Sequence, residues 1–277
     1  MLRNALLSLS FSMFATTAMA GCGPDPDACL LPDGEYHVAL PTVAKPDAPV
    51  VIFLHGAGGN GAGVVRNSGT VRAMQARGYA VIAPSAKRRE GSRIGPVWIF
   101  YPGWEGRNET VFLKDVVADA AQRFDLDPNR VLLAGFSAGG FMVNYLACDA
   151  PDTFAAYAPV SGGFWRPHPK DCAGPIKMLH THGWRDSTVP LEGRVLGGGR
   201  FEQGDIFAGL EIWRTANQCA SEKPSSFGET GQFLRRKWSD CAPGSALEFA
   251  LFPGGHGVPK GWADMALDWF EAVTPPE

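Results

Sequence analysis

The amino-acid sequence predicts an α/β fold, with a mostly parallel sheet that is covered by helices on both faces. Short, continuous apolar runs are typical of strands that are buried on both faces of such a sheet. They alternate along the chain with segments whose apolar residues recur at helical spacing, as crossover helices require. The predicted strands cover residues 49–54, 79–83, 130–134, 154–160, 176–180 and 247–252, and the predicted helices cover residues 64–77, 111–124, 141–147, 206–216 and 262–273.

Length and composition limit the possible architectures and partners. The chain has 277 residues, of which 45% are hydrophobic, and this is sufficient for the core of one large domain. No linker or internal repeat divides it, so we expect a single domain over residues 21–277. The formal net charge of -3 gives no basic surface of the kind that binds nucleic acid. No apolar segment has the length of a transmembrane span, and we expect none.

The first 20 residues have the features of a signal peptide. Arg3 provides a positive charge, residues 5–15 form an apolar run, and residues 18–20 read Ala-Met-Ala, a cleavage site of the A-x-A type. With cleavage after Ala20, we expect the mature protein to be secreted or periplasmic. One alternative remains open, because residues 19–22 loosely resemble the processing site of a lipoprotein, which would anchor the chain through a lipid on Cys22.

All six cysteines follow the predicted cleavage site. An even number of cysteines in an exported chain indicates disulfides, and six cysteines allow 15 pairings. If cysteines adjacent in the sequence pair with each other, the bonds are Cys22–Cys29, Cys148–Cys172 and Cys219–Cys241. We expect no metal site, since no C-x-x-C motif or cluster of cysteine and histidine has the spacing of metal ligands.

Residues 135–139 read Gly-Phe-Ser-Ala-Gly and lie between a predicted strand and a predicted helix. In this position the G-x-S-x-G pattern is typical of the nucleophile turn of α/β-hydrolases, and we therefore expect that fold. Glycines are needed because larger residues two positions from the serine would clash with neighbouring backbone. Ser137 is accordingly the predicted nucleophile.

A serine nucleophile requires a base, and in α/β-hydrolases the acid and then the histidine follow the serine along the chain. His256 lies among glycines directly after the last predicted strand, where this fold presents its base. Asp186 follows the preceding strand and is the predicted acid. His180 and His182 share one face of that strand, and we expect them to pack beside the three catalytic residues rather than to bind a metal.

Hydrolysis of an acyl group also requires two backbone N–H donors for the oxyanion. Ala138, the residue after the nucleophile, is predicted to provide one of them. The other is expected from Ala57, in the Gly-rich loop that follows the first predicted strand. This loop lacks the G-K-[ST] ending of a phosphate-binding loop. His55, at its start, is expected to form structural hydrogen bonds.

Several segments together resemble the polyhydroxybutyrate-depolymerase-like esterases, a family of α/β-hydrolases that is close to the feruloyl and acetyl xylan esterases. The segments are residues 54–59, 135–140, 154–162, 182–190 and 254–257, and the placement of Cys148, Cys219 and Cys241 is also similar. The resemblance implies cleavage of carboxylic esters without a cofactor, and it carries the family's catalytic residues onto Ser137, Asp186 and His256. Trp184, Arg185 and the Gly-rich stretch 194–204 depart from the family pattern.

We therefore expect a serine esterase that acts on 3-hydroxyalkanoate oligomers or related esters. Feruloyl or acetyl xylan esters are the alternative substrates, and a non-catalytic binding protein or a peptidase on the same fold are further alternatives. The sequence shows no linker and no separate substrate-binding domain, which favours soluble oligomers or small esters over solid polymer. The aromatic candidates for the walls of the substrate pocket are Trp104, Phe136, Trp165 and Trp184.

Overall fold

A computed structural model describes residues 22–23, 27–66, 68–89 and 94–275, so the predicted signal peptide at residues 1–20 lies outside the described residues. The strands are β1 (Cys29–Leu31), β2 (Gly34–Ala39), β3 (Ala48–Leu54), β4 (Ala80–Pro84), β5 (Leu126–Phe136), β6 (Ala156–Val160), β7 (Lys177–Gly183), β8 (Arg194–Leu196), β9 (Phe201–Gln203), β10 (Ser226–Thr230), β11 (Phe233–Trp238) and β12 (Ala246–Phe252). The helices are α1 (Gly61–Val65), α2 (Ser68–Ala76), α3 (Glu109–Phe124), α4 (Ala138–Asp149), α5 (Ile206–Ala216) and α6 (Trp262–Val273).

One ten-stranded sheet runs through the molecule in the order β1-β2-β4-β3-β5-β6-β7-β12-β11-β10. Its central strands, from β4 to β12, pair in parallel, whereas β1, β2, β10 and β11 are antiparallel additions at the two edges. Because parallel strands end at the same edge of a sheet, the loops that follow β3, β5, β7 and β12 meet there. Three of these loops contain the predicted catalytic residues.

Both faces of the sheet are buried, as the continuous apolar runs predicted. Neighbouring residues of a strand, such as Val51 and Ile52, belong to different hydrophobic clusters on opposite faces. Residues of α3, α4 and α5 pack on one face, and residues of α2 and α6 pack on the other. The predicted α/β architecture, with helices on both faces of a mostly parallel sheet, is therefore confirmed.

The structure differs from the sequence-based prediction mainly at the edges of the sheet. The segment 64–77 was predicted as one helix, but α1 and α2 divide this region, in which glycine, a weak helix former, recurs. Strands β1, β2, β10 and β11 were not predicted. Three of the four β11 residues Leu234, Arg235, Arg236 and Lys237 carry charge, and such a strand lacks the continuous apolar run used to find the buried ones.

Three disulfides join Cys22 to Cys29, Cys148 to Cys172 and Cys219 to Cys241. They are the pairs that lie adjacent in the sequence. The first bond attaches the start of the described chain to β1, the second joins α4 to the segment before β7, and the third links the segment after α5 to the segment before β12. In the described part of the chain, no helix combines the length and the apolarity needed to cross a membrane.

The Cys219–Cys241 bond provides a test of how cross-linking stabilises this fold. A Cys219→Ser, Cys241→Ser double variant is expected to lose about 3 kcal/mol of unfolding free energy. The bond spans 22 residues, and closing a loop of roughly this length in the unfolded chain stabilises a fold by about this amount. Urea unfolding without reductant measures the loss. The Cys148→Ser, Cys172→Ser double variant is the matched control. Its sequence separation of 24 residues is close to the 22 of the first pair, so a loss of similar size is expected if loop length determines the stabilisation. An unchanged free energy in the first double variant would contradict the expectation.

Candidate active site

Ser137 lies in a tight turn between β5 and α4, with φ 56° and ψ -116°. This is an unfavourable backbone conformation for a residue other than glycine, and it persists only where the surroundings enforce it. Two backbone hydrogen bonds do so here. The Ser137 N–H donates to the Val160 carbonyl at 2.9 Å, and the Ser137 carbonyl accepts from the Phe141 N–H at 2.9 Å.

Close contacts of the backbone explain the glycines on both sides of the serine. A Cβ atom on Gly135 would lie 2.5 Å from the Gly139 carbonyl oxygen. A Cβ atom on Gly139 would lie 2.2 Å from the carbonyl oxygen of Leu54, at the end of β3. The G-x-S-x-G pattern therefore follows from the close approach of α4 to the ends of two neighbouring strands.

Ser137, His256 and Asp186 form one line of hydrogen bonds. The Ser137 Oγ lies 2.9 Å from the His256 Nε2, and the His256 Nδ1 lies 2.7 Å from the Asp186 Oδ2. A carboxylate only accepts, so the His256 Nδ1 carries the proton and the Nε2 lone pair accepts from the serine hydroxyl. The structure thus brings together the three residues that the sequence predicts, in the geometry of a nucleophile, a base and an orienting acid.

The Asp186 carboxylate is fully buried, yet it is held in its charged form. Burial by itself raises its pKa, but the hydrogen bonds from His256 and from the Val189 N–H, together with the nearby imidazole of His182, outweigh this and lower the pKa below its usual range. The Asp186 Oδ1 accepts from the N–H groups of Thr188 and Val189 at 2.9 and 2.8 Å. Oδ2 remains directed at His256.

The loops that carry the acid and the base are joined directly. The N–H of Trp184 donates to the Phe252 carbonyl at 2.8 Å, and the N–H of Arg185 donates to the Gly254 carbonyl at 2.9 Å. The Arg185 side chain adds a bond from its Nε to the Pro253 carbonyl at 2.8 Å. These contacts continue the pairing of β7 with β12 beyond the strands and fix Asp186 relative to His256.

The predicted nucleophile and base are partly exposed to solvent, while the acid is not. The His256 side chain is 17% exposed, Ser137 is partly exposed, and the Asp186 side chain is wholly buried. The Phe136 ring packs against the His256 ring, with centroids 4.7 Å apart. Phe136, predicted as a wall of the substrate pocket, therefore supports the predicted base directly.

The Gly-rich loop after β3 lies beside the nucleophile. A Cβ atom on Gly56 would be 3.4 Å from the Ser137 Cβ. The N–H groups of Gly58 and Gly59 donate to backbone carbonyls at 2.8 and 3.0 Å, so they are already engaged. Ala57 lies between these residues and Gly56, at the position from which the sequence predicts an oxyanion donor.

Ala138 is the first residue of α4. The first four N–H groups of a helix have no acceptor within the helix, so the N–H of Ala138 is free of the helical hydrogen-bond pattern. It directly follows Ser137. Negative charge that develops near the nucleophile would also lie close to the positive end of the α4 dipole.

His55 has a structural part in the same loop. Its Nε2 accepts from the Ala86 N–H at 3.0 Å, and its Nδ1 lies 2.7 Å from the Gly56 carbonyl. The His55 carbonyl accepts from the Trp98 indole at 2.9 Å. Burial lowers the pKa of His55, which keeps its ring neutral in these contacts.

Two of the predicted pocket aromatics lie in a larger cluster. Trp104 and Trp165 pack on each other with ring centroids 5.5 Å apart, and the cluster also contains Phe100, Tyr101, Phe141 and Phe201. Trp165 is buried, and the guanidinium of Arg89 covers the half-buried Trp104 at 4.0 Å. Trp184, in contrast, is 63% exposed and lies two residues before the acid. Within the described residues, no group of three side chains is arranged to hold a metal ion.

Residues 35–172 match the family described as "Esterase PHB depolymerase". The sequence is also 30% identical to poly(3-hydroxyalkanoate) depolymerase C of Paucimonas lemoignei over 91% of this chain, and it spans 58% of that relative's length. The chain is thus similar to this esterase family. The resemblance that the sequence motifs indicate is thereby confirmed.

Two further comparisons extend the likeness over nearly the whole chain. Feruloyl esterase C of Emericella nidulans is 28% identical, with 94% of each chain covered. The solved structure of an acetyl xylan esterase from Aspergillus awamori superposes with a TM-score of 0.64 at 16% identity, covering 87% of this chain and 94% of that one. At this identity the structural match concerns the fold, which is that of the α/β-hydrolases.

Gly139→Ala tests the steric account of the nucleophile turn. The added methyl would meet the Leu54 carbonyl, and overpacking of this kind is expected to lower the unfolding free energy by about 1–3 kcal/mol. Denaturant unfolding measures the change. Gly69→Ala is the matched control, because a Cβ there meets no atom within 4 Å and alanine is expected to stabilise α2 by about 0.5–1 kcal/mol. Equal stability of the two variants would contradict the account.

Proposed function

We propose that this protein is a serine esterase that hydrolyses carboxylic esters through a covalent acyl-enzyme. The observation that carries the proposal is the continuous hydrogen-bonded line from Ser137 through His256 to Asp186. A non-catalytic binding protein on the same fold would not need these three side chains at hydrogen-bonding distance. The match of residues 35–172 to an esterase family supports the same conclusion.

In the first half-reaction, His256 Nε2 takes the hydroxyl proton of Ser137 while the Oγ forms a bond to the ester carbonyl carbon. The carbonyl oxygen becomes an oxyanion, which accepts from the N–H groups of Ala57 and Ala138. The protonated His256 is stabilised by the Asp186 carboxylate. Collapse of the intermediate breaks the bond to the alcohol, which leaves with the proton from Nε2.

In the second half-reaction, a water molecule takes the place of the alcohol. His256 removes a proton from it, and the oxygen attacks the carbonyl carbon of the acyl-enzyme. The same two N–H groups accept the second oxyanion. Release of the carboxylic acid returns the proton from Nε2 to the Ser137 Oγ. Each residue is thus restored, and neither a metal nor an organic cofactor takes part in the steps.

For the substrate, we propose short 3-hydroxyalkanoate oligomers, on the basis of the similarity to poly(3-hydroxyalkanoate) depolymerase C. Feruloyl esters are the second candidate, and two observations favour them. The match to feruloyl esterase C covers 94% of both chains. The indole of Trp184 is exposed close to the acid, where it could contact an aromatic acyl group.

We also propose that the protein is exported, with the predicted signal peptide removed after Ala20. The three disulfides support this, because such bonds persist in oxidising compartments. Cys22 is bonded to Cys29, which leaves no thiol on Cys22 for a lipid. The disulfide thus favours a secreted or periplasmic protein over the lipid-anchored alternative.

Ser137→Ala is expected to lower turnover of a chromogenic short-chain ester by about 10⁴- to 10⁶-fold, as with other knockouts of such a nucleophile. Ser161→Ala is the matched control. Ser161 also has a positive φ, of 51°, and also follows a parallel strand, but its side chain is buried. Its replacement is expected to leave turnover within about 2-fold of wild type. Full activity of Ser137→Ala would remove the nucleophile and with it the proposed function.

A substrate panel on the purified mature protein tests the acyl specificity. We expect the highest kcat/KM with 3-hydroxybutyrate trimer, compared with methyl ferulate, acetylated xylan and a chromogenic peptide. The Ser137→Ala variant provides the background rate for each compound. A clear preference for methyl ferulate would assign the second candidate, and cleavage of the peptide alone would indicate a peptidase.

A further inference from the structure

His182 lies next to the acid, with its Nε2 3.7 Å from the Asp186 Oδ2, the oxygen that also accepts from His256. It is fully buried in β7, four residues before Asp186. Its Nε2 lies 2.8 Å from the Val189 carbonyl oxygen, and its Nδ1 lies 3.3 Å from the Nε2 of His180. The proposed mechanism assigns no step to this buried pair of histidines.

The two contacts determine which nitrogens carry protons. A carbonyl oxygen only accepts, so the His182 Nε2 carries a proton and donates to Val189. In a neutral ring the Nδ1 is then an acceptor, and it takes its hydrogen bond from the Nε2–H of His180. Both nitrogens of the neutral His182 ring are thereby satisfied, and the donors point from His180 through His182 to Val189.

Val189 links this chain to the acid. Its carbonyl accepts from His182, and its own N–H donates to the Asp186 Oδ1 at 2.8 Å. One residue is therefore held on both sides of its backbone, by a ring in the strand and by the carboxylate. A displacement of Val189 would release one of the two backbone donors that orient Asp186.

We propose that His182 is a positioning residue, which fixes the turn of residues 186–189 through Val189 and so holds the Asp186 carboxylate against His256. The effect of His182 on turnover rests on the proposed function, whereas its contact with Val189 and the orientation of Asp186 do not depend on a substrate. His182 contacts no reacting atom, and it acts only through the acid's turn.

A neutral ring is essential to this arrangement. The titratable groups that face His182 are His180, Asp186 and His256, and the Nε2 of His182 lies 3.7 Å from the Asp186 Oδ2. A charged His182 would compete with His256 for the same carboxylate. Burial lowers the pKa of His182 more than the Val189 carbonyl and Asp186 raise it, so the ring stays neutral.

The test compares two substitutions at this position. His182→Leu removes the donor to Val189. We expect kcat to fall about 10²-fold, because a small misplacement of a catalytic group can cost this much, and we expect little change in KM. The acidic limb of the kcat/KM profile is expected to move to lower pH, because protonated His256 loses part of its stabilisation by Asp186. His182→Gln keeps an N–H donor for Val189 and is expected to recover most of the activity.

Two further measurements separate positioning from general damage to the fold. Leu179→Ala is the matched control, since Leu179 lies in the same strand but packs in the cluster on the other face of the sheet. It is expected to lower Tm without moving the pH profile or kcat per active site. Proton NMR of the His256–Asp186 hydrogen bond provides a readout without substrate, with the downfield signal lost in His182→Leu and retained in His182→Gln.

The outcomes distinguish this inference from the proposed function. A folded His182→Leu with wild-type kcat, pH profile and downfield signal would overturn the positioning role, as would equal losses in His182→Gln and His182→Leu. If the wild-type protein hydrolysed no ester, the proposed function would fail, while the NMR comparison would still decide whether His182 orients the acid.

Discussion

Asp186 and His256 are separated by 70 residues, and the parallel pairing of β7 with β12 is the interaction that brings them together. The pairing aligns Gly183 with Phe252, so both loops begin at the same height above the sheet. A Cβ on Gly183 would lie 2.4 Å from the Gly255 carbonyl oxygen, which shows how closely the two loops pack. The distance from the acid to the base therefore depends on backbone contacts of the sheet more than on the two side chains.

The nucleophile depends on a different constraint, which is the strained turn at Ser137. The turn is maintained because its neighbours leave no room for relaxation: α4 packs directly on the ends of β3 and β5. Rigid elements on both sides thus hold the Oγ near His256, and the energy needed for this conformation comes from the packing of the sheet. The apolar runs that form the sheet and the glycines that flank Ser137 therefore act together to hold the nucleophile in its strained turn.

The sequence predicts the central sheet well, and it indicates the three side chains that the structure brings together, because both depend on residue type. A buried parallel strand requires an apolar run, and the chemistry requires a serine, a histidine and a carboxylate after particular strands. The contact of His182 with Val189 was not predicted, because a backbone carbonyl has no signature in the sequence. The edge strands were missed since only part of each is buried, and an aromatic residue such as Trp165 suits a core as well as a pocket.

The chain between the acid and the base forms a long insertion that leaves the sheet after β7 and returns to it at β10. Its two ends are held by the pairing of β7 with β12 and by the disulfide before β12. Changes of length or composition between Leu191 and this disulfide are therefore expected to leave the spacing of Asp186 and His256 intact, because Thr188 and Val189, which orient the acid, lie before that stretch. The insertion includes the β8–β9 hairpin and α5, and α5 packs in the core, so it is the exposed residues of the insertion that can change while Asp186 and His256 keep their places.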